Sequence, residues 1–237
     1  MLNVQATHPA AALRRRQAGL SMVELMVGVA IGLFVVAGAT LAVSNQLGDN
    51  RRLMLETQIQ QDLRSAADVI ARDLRRSGYW ASAQYGVWHA GAVAVTSNPY
   101  TALTPASGVA SGVSFGYSRN TLENNVLDAT RDVTDEAGFK LVDTAIHMRT
   151  GGGPYQALTD STTLKVTEFR VTLNSQAVAL SCFNECPGGG VACWPTQTVR
   201  ELEVFIDGTA VHDPSVRRNA RSNVRLRNDV INGACPA

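Results

Sequence analysis

The chain has 237 residues with 21 basic and 20 acidic side chains, a formal net charge of +1. That balance gives no reason to expect a nucleic-acid partner. The length suits one moderate domain plus an anchor.

Residues 1–13 are small and weakly polar, with His8 as an exposed leader residue. Arg14, Arg15 and Arg16 follow, then Gln17, Ala18 and Gly19. From Leu20 to Val43 there are 24 residues with a single charge, Glu24. As a helix this run reaches about 36 Å at 1.5 Å per residue, enough to cross a bilayer. A lone carboxylate there is disfavoured by a few kcal/mol, which makes Glu24 a functional candidate. The three arginines favour a cytoplasmic N-terminus, with the bulk of the chain outside the membrane. Arg51 and Arg52 beyond the run blunt this asymmetry. Two plainer explanations compete: an ordinary signal peptide cut near Ala37-Gly38-Ala39, and a simple single-span anchor.

Gly19-Leu20-Ser21-Met22-Val23-Glu24-Leu25 resembles the type IV prepilin signal position by position. The resemblance implies that a prepilin peptidase cuts after Gly19 on the cytoplasmic side and methylates the new N-terminus at Leu20. The apolar segment is then kept, first as a membrane anchor and later as filament core. Loss of residues 1–19 removes three arginines and no acid, leaving 18 basic against 20 acidic residues. Gly28 and Gly32 form a G-x-x-x-G pair suited to close helix approach in lipid. Major pilins that resemble this signal usually carry a proline near mid-segment. Leu20 to Ser77 contain none, which points to a minor pilin or a secretion pseudopilin.

Leu55, Ile59, Leu63, Ala66, Ile70 and Leu74 form one apolar stripe at helical spacing. Gly78 suits a helix C′ position. The pattern therefore predicts one helix over about 20–77, with residues 20–43 apolar all round and 44–78 amphipathic. A free coiled coil is the alternative. Asp73-Leu74-Arg75-Arg76-Ser77-Gly78-Tyr79 resembles the end of this helix in PilW-like minor pilins. Tyr79 and Trp80 are expected to cover the helix end.

Residues 79–237 carry strand signals at Ala92–Thr96, Val113–Tyr117, Thr144–Arg149, Thr163–Leu173, Ala177–Cys182, Thr198–Ile206 and Asn223–Arg227. The alternation in Leu164–Leu173 slips after Phe169, which suggests a bulge. Asp207-Gly208 has the form of a hairpin turn, and 97–111 and 151–153 have loop composition. Cys182, Cys186, Cys193 and Cys235 predict two disulfides in an exported head, with three connectivities open. A zinc site fits their spacing poorly.

Catalytic signals are weak. His89, His147 and His212 are scattered, and Gly116-Tyr117-Ser118-Arg119-Asn120 lacks the final glycine of a nucleophile elbow. Asp128, Asp132, Asp135 and Glu136 offer oxygen to calcium without the spacing of a known loop. Arg217, Arg218, Arg221, Arg225 and Arg227 form a basic cluster best read as a solvated strand face, with DNA capture as the sharper alternative.

The expected fold is α+β, a long N-terminal helix packed on an antiparallel β-sheet head. The resemblance implies a minor pilin in the initiation or tip complex of a type IV pilus, without catalytic, cofactor or metal residues. Its expected partners are the prepilin peptidase, other minor and major pilins and the inner-membrane assembly platform. A type II secretion pseudopilin, or a membrane-anchored periplasmic enzyme, is the alternative.

Overall fold

The computed structural model describes residues 19, 21–86, 96–119 and 131–236. The chain divides into two compact units, residues 1–50 and 51–237. The helix α1, Met22–Leu74, runs through the division. In the first unit every described residue is exposed, and the helix is long and apolar enough to cross a membrane.

The second unit holds the rest of α1 and two five-stranded antiparallel sheets. The first sheet joins β1 (Leu103–Thr104), β3 (Gly112–Gly116), β4 (Glu136–Val142), β5 (Ala145–Thr150) and β6 (Gln156–Ala157), in that order. The second is built on a long hairpin, β7 (Leu164–Ala179) with β8 (Thr196–Ala210). Strand β2 (Gly108–Ala110) pairs with β7, while β9 (Arg217–Arg225) and β10 (Val230–Asn232) share the other edge of β8. The chain changes sheets at Ser111, whose carbonyl accepts from the Leu141 amide.

One apolar core joins both sheets to α1. Ile59, Leu63, Ala66, Ile70 and Leu74 of the predicted stripe are buried, joined by Ala67 and Ala71, while Leu55 is only half-buried. Facing them are Val166, Phe169, Val171 and Leu173 of β7 and Leu202, Val204 and Ile206 of β8. The helix is packed along one face, so the coiled-coil alternative falls away for residues 59–74.

The α-helix ends at Leu74, three residues before the expected Ser77. Arg76 and Ser77 donate to carbonyls three residues back, which tightens the last turn. Gly78 closes it at φ +73°, and a Cβ there would lie 3.2 Å from Asn228 Cβ. Trp80 is buried as expected, but Tyr79 is 45% exposed and covers little. The turn instead joins the first sheet by backbone bonds from Gly78 to Gly116 and from Ser118 to Tyr79.

Three strand-level expectations are corrected. The Ala177–Cys182 segment is not a separate strand, because β7 continues unbroken through Ala179. The bulge lies between Val166 and Glu168, before Phe169, which moves the buried positions from even to odd numbers. Asp207-Gly208 is no turn but part of β8. Gly208 is there because a Cβ would lie 2.7 Å from Leu164 Cδ1. Buried Asp207 accepts from Thr167 Oγ1 and pairs with Arg217. The reversal comes at Asp213, whose carboxylate accepts from the amide and hydroxyl of Ser215. The 97–111 segment carries two short strands, and Ala92–Thr96 falls almost wholly outside the described residues.

Ile70 is fully buried between helix and sheets, so Ile70→Ala should cost about 2–5 kcal/mol. Urea denaturation of the purified chain in detergent, followed by tryptophan fluorescence, should show that loss. Leu47→Ala, on the exposed part of α1, should change the same midpoint by less than about 0.5 kcal/mol.

Candidate functional site

The chemistry-bearing stretch at the N-terminal end begins at Gly19, which is exposed, and Leu20 lies outside the described residues. Met22 opens the helix, and the Leu25 amide donates to the Ser21 carbonyl at 3.1 Å. Glu24 is therefore the third helical residue, exposed and in the first turn, where unpaired N–H groups favour a carboxylate. That is its local structural role. It does not account for the apolar surroundings, since Met22, Val23, Leu25 and Met26 beside it are 58–85% exposed.

Behind Glu24, Phe34 is 80% exposed, and Leu33, Val35 and Val36 are similarly bare. An added Cβ at Gly28, Gly32 or Gly38 meets nothing within 4 Å. Among the described residues no contact requires residues this small. Such a surface is suited to lipid or to close-packed neighbouring helices.

At the other end, the helix terminus is fixed by side chains distant in sequence. Asn228 Nδ2 donates to the Ser77 carbonyl at 2.9 Å, and Asn98 Nδ2 to the Gly78 carbonyl at 2.8 Å. Arg200 lies behind them, 6% exposed, and donates to the carbonyls of Thr101 and Asn228. Burial pulls its guanidinium below the ordinary range, and the charge of Asp229 opposes this. Sequence reading passed over Arg200, yet alternation with Leu202, Val204 and Ile206 puts it on the inward face.

The hairpin tip carries the cysteines. Cys186 pairs with Cys193 inside the β7–β8 loop, and Cys182 pairs with Cys235 beyond β10. The C-terminal segment is thereby tied to the base of that loop.

The arginine cluster is largely neutralised. Arg217 pairs with Asp207, Arg218 with Glu56 of α1, Arg221 with Glu203 and Arg225 with Asp229. The Asp207 hydrogen bond, then its charge, holds Arg217 above the usual arginine value. Phe205 lies between Arg170 and Arg221, 4.9 and 5.6 Å from its ring centre. A strand so matched with acids is a poor phosphate track.

Of the candidate calcium ligands, the described Asp132, Asp135 and Glu136 do not converge on one point. Asp135 is buried and accepts from Tyr100 Oη, Arg119 N and Asp132 N. Asp132 caps the following turn through Thr134, and Glu136 pairs with Arg149. Asp128 and His89 lie outside the described residues, and His147 and His212 sit on β5 and the β8–β9 turn. Among the described residues no three His, Cys, Asp or Glu side chains are placed to hold a metal.

Comparison with known families gives two matches. Residues 14–40 match the prokaryotic N-terminal methylation motif, and residues 52–226 match the family described as prepilin peptidase-dependent protein B. No curated protein and no solved structure matches the chain.

Unreduced peptide mapping of the exported protein should recover Cys182 joined to Cys235 and Cys186 joined to Cys193. Cys235→Ser should release a closed loop of more than fifty residues and cost about 4 kcal/mol, the loop entropy that the cross-link removes from the unfolded chain. Thermal unfolding without reductant measures that loss.

Proposed function

The chain belongs to the prepilin peptidase-dependent protein B family and is a type IV pilin-like protein, and from that premise we propose that it is a minor pilin. It takes part in starting the filament, within the initiation or tip complex. The observation that carries this reading is the methylation motif over residues 14–40, set directly on an apolar helix whose surface is exposed among the described residues. The peptidase removes residues 1–19 and methylates Leu20. The helix holds the subunit in the inner membrane, N-terminus in the cytoplasm and head in the periplasm, until the assembly platform draws it into the filament. The Asp73–Tyr79 junction supports placing it with the PilW-like kind.

Glu24 supplies the docking signal in this scheme. A freed amino group at Leu20 and the Glu24 carboxylate are each costly in lipid when unpaired. Paired across two subunits they offset each other and fix the axial register of one helix against the next. Pairing within one helix, four residues apart, would give no such signal. The exposed glycines at 28, 32 and 38 support close approach along the rest of the seam.

Intact-mass analysis of the membrane fraction should find a chain beginning at methylated Leu20. An N-terminus near Thr40 would instead identify an ordinary signal peptide. Deletion should lower the number of surface pili while the major subunit stays in the membrane. Normal piliation with failed protein export would move the protein to type II secretion.

Glu24→Ala should be cleaved and inserted as usual, with an unchanged head, yet enter pili at least about tenfold less, as loss of one partner of a buried charge pair requires. Quantitative immunoblotting of sheared pili against membranes measures this. Incorporation at the wild-type level would remove Glu24 from docking, and loss of cleavage would assign it to the peptidase.

A further inference from the structure

The second sheet guards its two edges very differently. Strand β9 closes most of one side with arginines at 217, 218, 221 and 225, the kind of charged border that discourages strand addition, and the short β10 covers Thr196 to Thr198. On the other side β2 covers β7 only as far as Leu173, opposite Gly108. From Asn174 to Ala179 the strand is paired to β8 alone among the described residues, and all six residues are exposed. Asn-Ser-Gln-Ala-Val-Ala contains no charge and no proline, and the register with β8 has no irregularity there. Among the described residues none of the usual devices that block an edge is present on this segment.

The ladder also fixes which groups are free. Leu180 donates to the Pro195 carbonyl, so even-numbered residues of this segment face β8. The backbone groups of Ser175, Ala177 and Ala179 therefore point outward, in phase with Val171 and Leu173 where β2 pairs. On the outer face Val178 lies in one row with Gln197 and Ile231, and the two apolar members are 44% and 60% exposed.

We propose that this edge receives an extended, uncharged strand from a different subunit anchored by its own apolar helix, with an apolar residue beside Val178. Six residues span about 20 Å. Such a strip buries on the order of a few hundred Å² per side, below the roughly 1,200 Å² of a free-standing specific interface. A partner already held nearby through its helix does not need that area, because tethering raises its effective concentration. The inference rests on the reading of the chain as one subunit of a helix-anchored assembly.

The test places a photocrosslinking amino acid at Ser175 of the full chain in intact cells, with the exposed turn residue Thr162 as control. The expected adduct joins Ser175 to another processed, helix-anchored subunit, identified by mass spectrometry, and is absent at Thr162. Ala177→Pro removes one outward N–H without touching the β8 ladder and should lower the adduct about tenfold. Ala177→Lys, which keeps the N–H but adds a charge, should lower it too and covers the case in which proline unfolds the head. Both variants are checked for intact disulfides. An adduct of two copies of this chain, or no adduct while both variants enter pili normally, overturns the inference and leaves the minor-pilin reading standing. A Ser175 adduct to an anchored subunit in cells whose piliation ignores this protein would overturn that reading instead.

Discussion

The burial of one helical stripe into the head governs the second unit. Ile59, Leu63, Ile70 and Leu74 are essentially without solvent, and each contributes about 1.5–3 kcal/mol when removed from water. Their sum is comparable with the whole stability of an ordinary domain, about 5–15 kcal/mol. Neither sheet closes its core without them, because Phe115, Phe139 and Ile146 of the first sheet and the inward residues of β7 and β8 in the second belong to the same cluster. The head and residues 59–74 therefore form one cooperative body.

Polar contacts finish what the stripe begins. Helix ends leave carbonyls without partners, and buried ones are costly unless matched. Here Asn228 supplies an amide to the Ser77 carbonyl and Asn98 one to the Gly78 carbonyl, and Arg200 braces the loops that carry them. The Arg218–Glu56 pair adds a link from β9 to α1. It is partly exposed, so its value lies more in orientation than in free energy. The two disulfides constrain the hairpin tip and the C-terminal segment, which have almost no core of their own.

The apolar half of α1 obeys a different constraint. Its side chains are exposed in every direction, and its glycines face open space. In water such a surface is a liability; in lipid or among like helices it is the normal state of a spanning segment. One continuous secondary structure thus passes from a solvent-averse segment to one that completes a soluble core. The change is made in sequence by composition, not by a break in the helix.

The sequence by itself determined the processing motif, the apolar run, the single helix and its buried stripe. Each of these is local, written within one helical turn or one heptad, so periodicity and composition reveal it. It also carried β3, β5, β7, β8 and the end of β9, because alternation is local too, but not β1, β2, β4, β6 or β10. The β7–β8 pairing and its bulge come from the tertiary structure alone, since register depends on partners that range from Ala179 with Thr196 to Leu164 with Ala210. Asp207-Gly208 is the clearest case: by composition it is a turn, but the strand continues because Leu164 packs where a Cβ would stand. The same holds for Arg200, for the cysteine partners and for the uncovered edge at 174–179. Each is defined by what comes to lie beside it, and neighbours in space are not written in neighbouring letters.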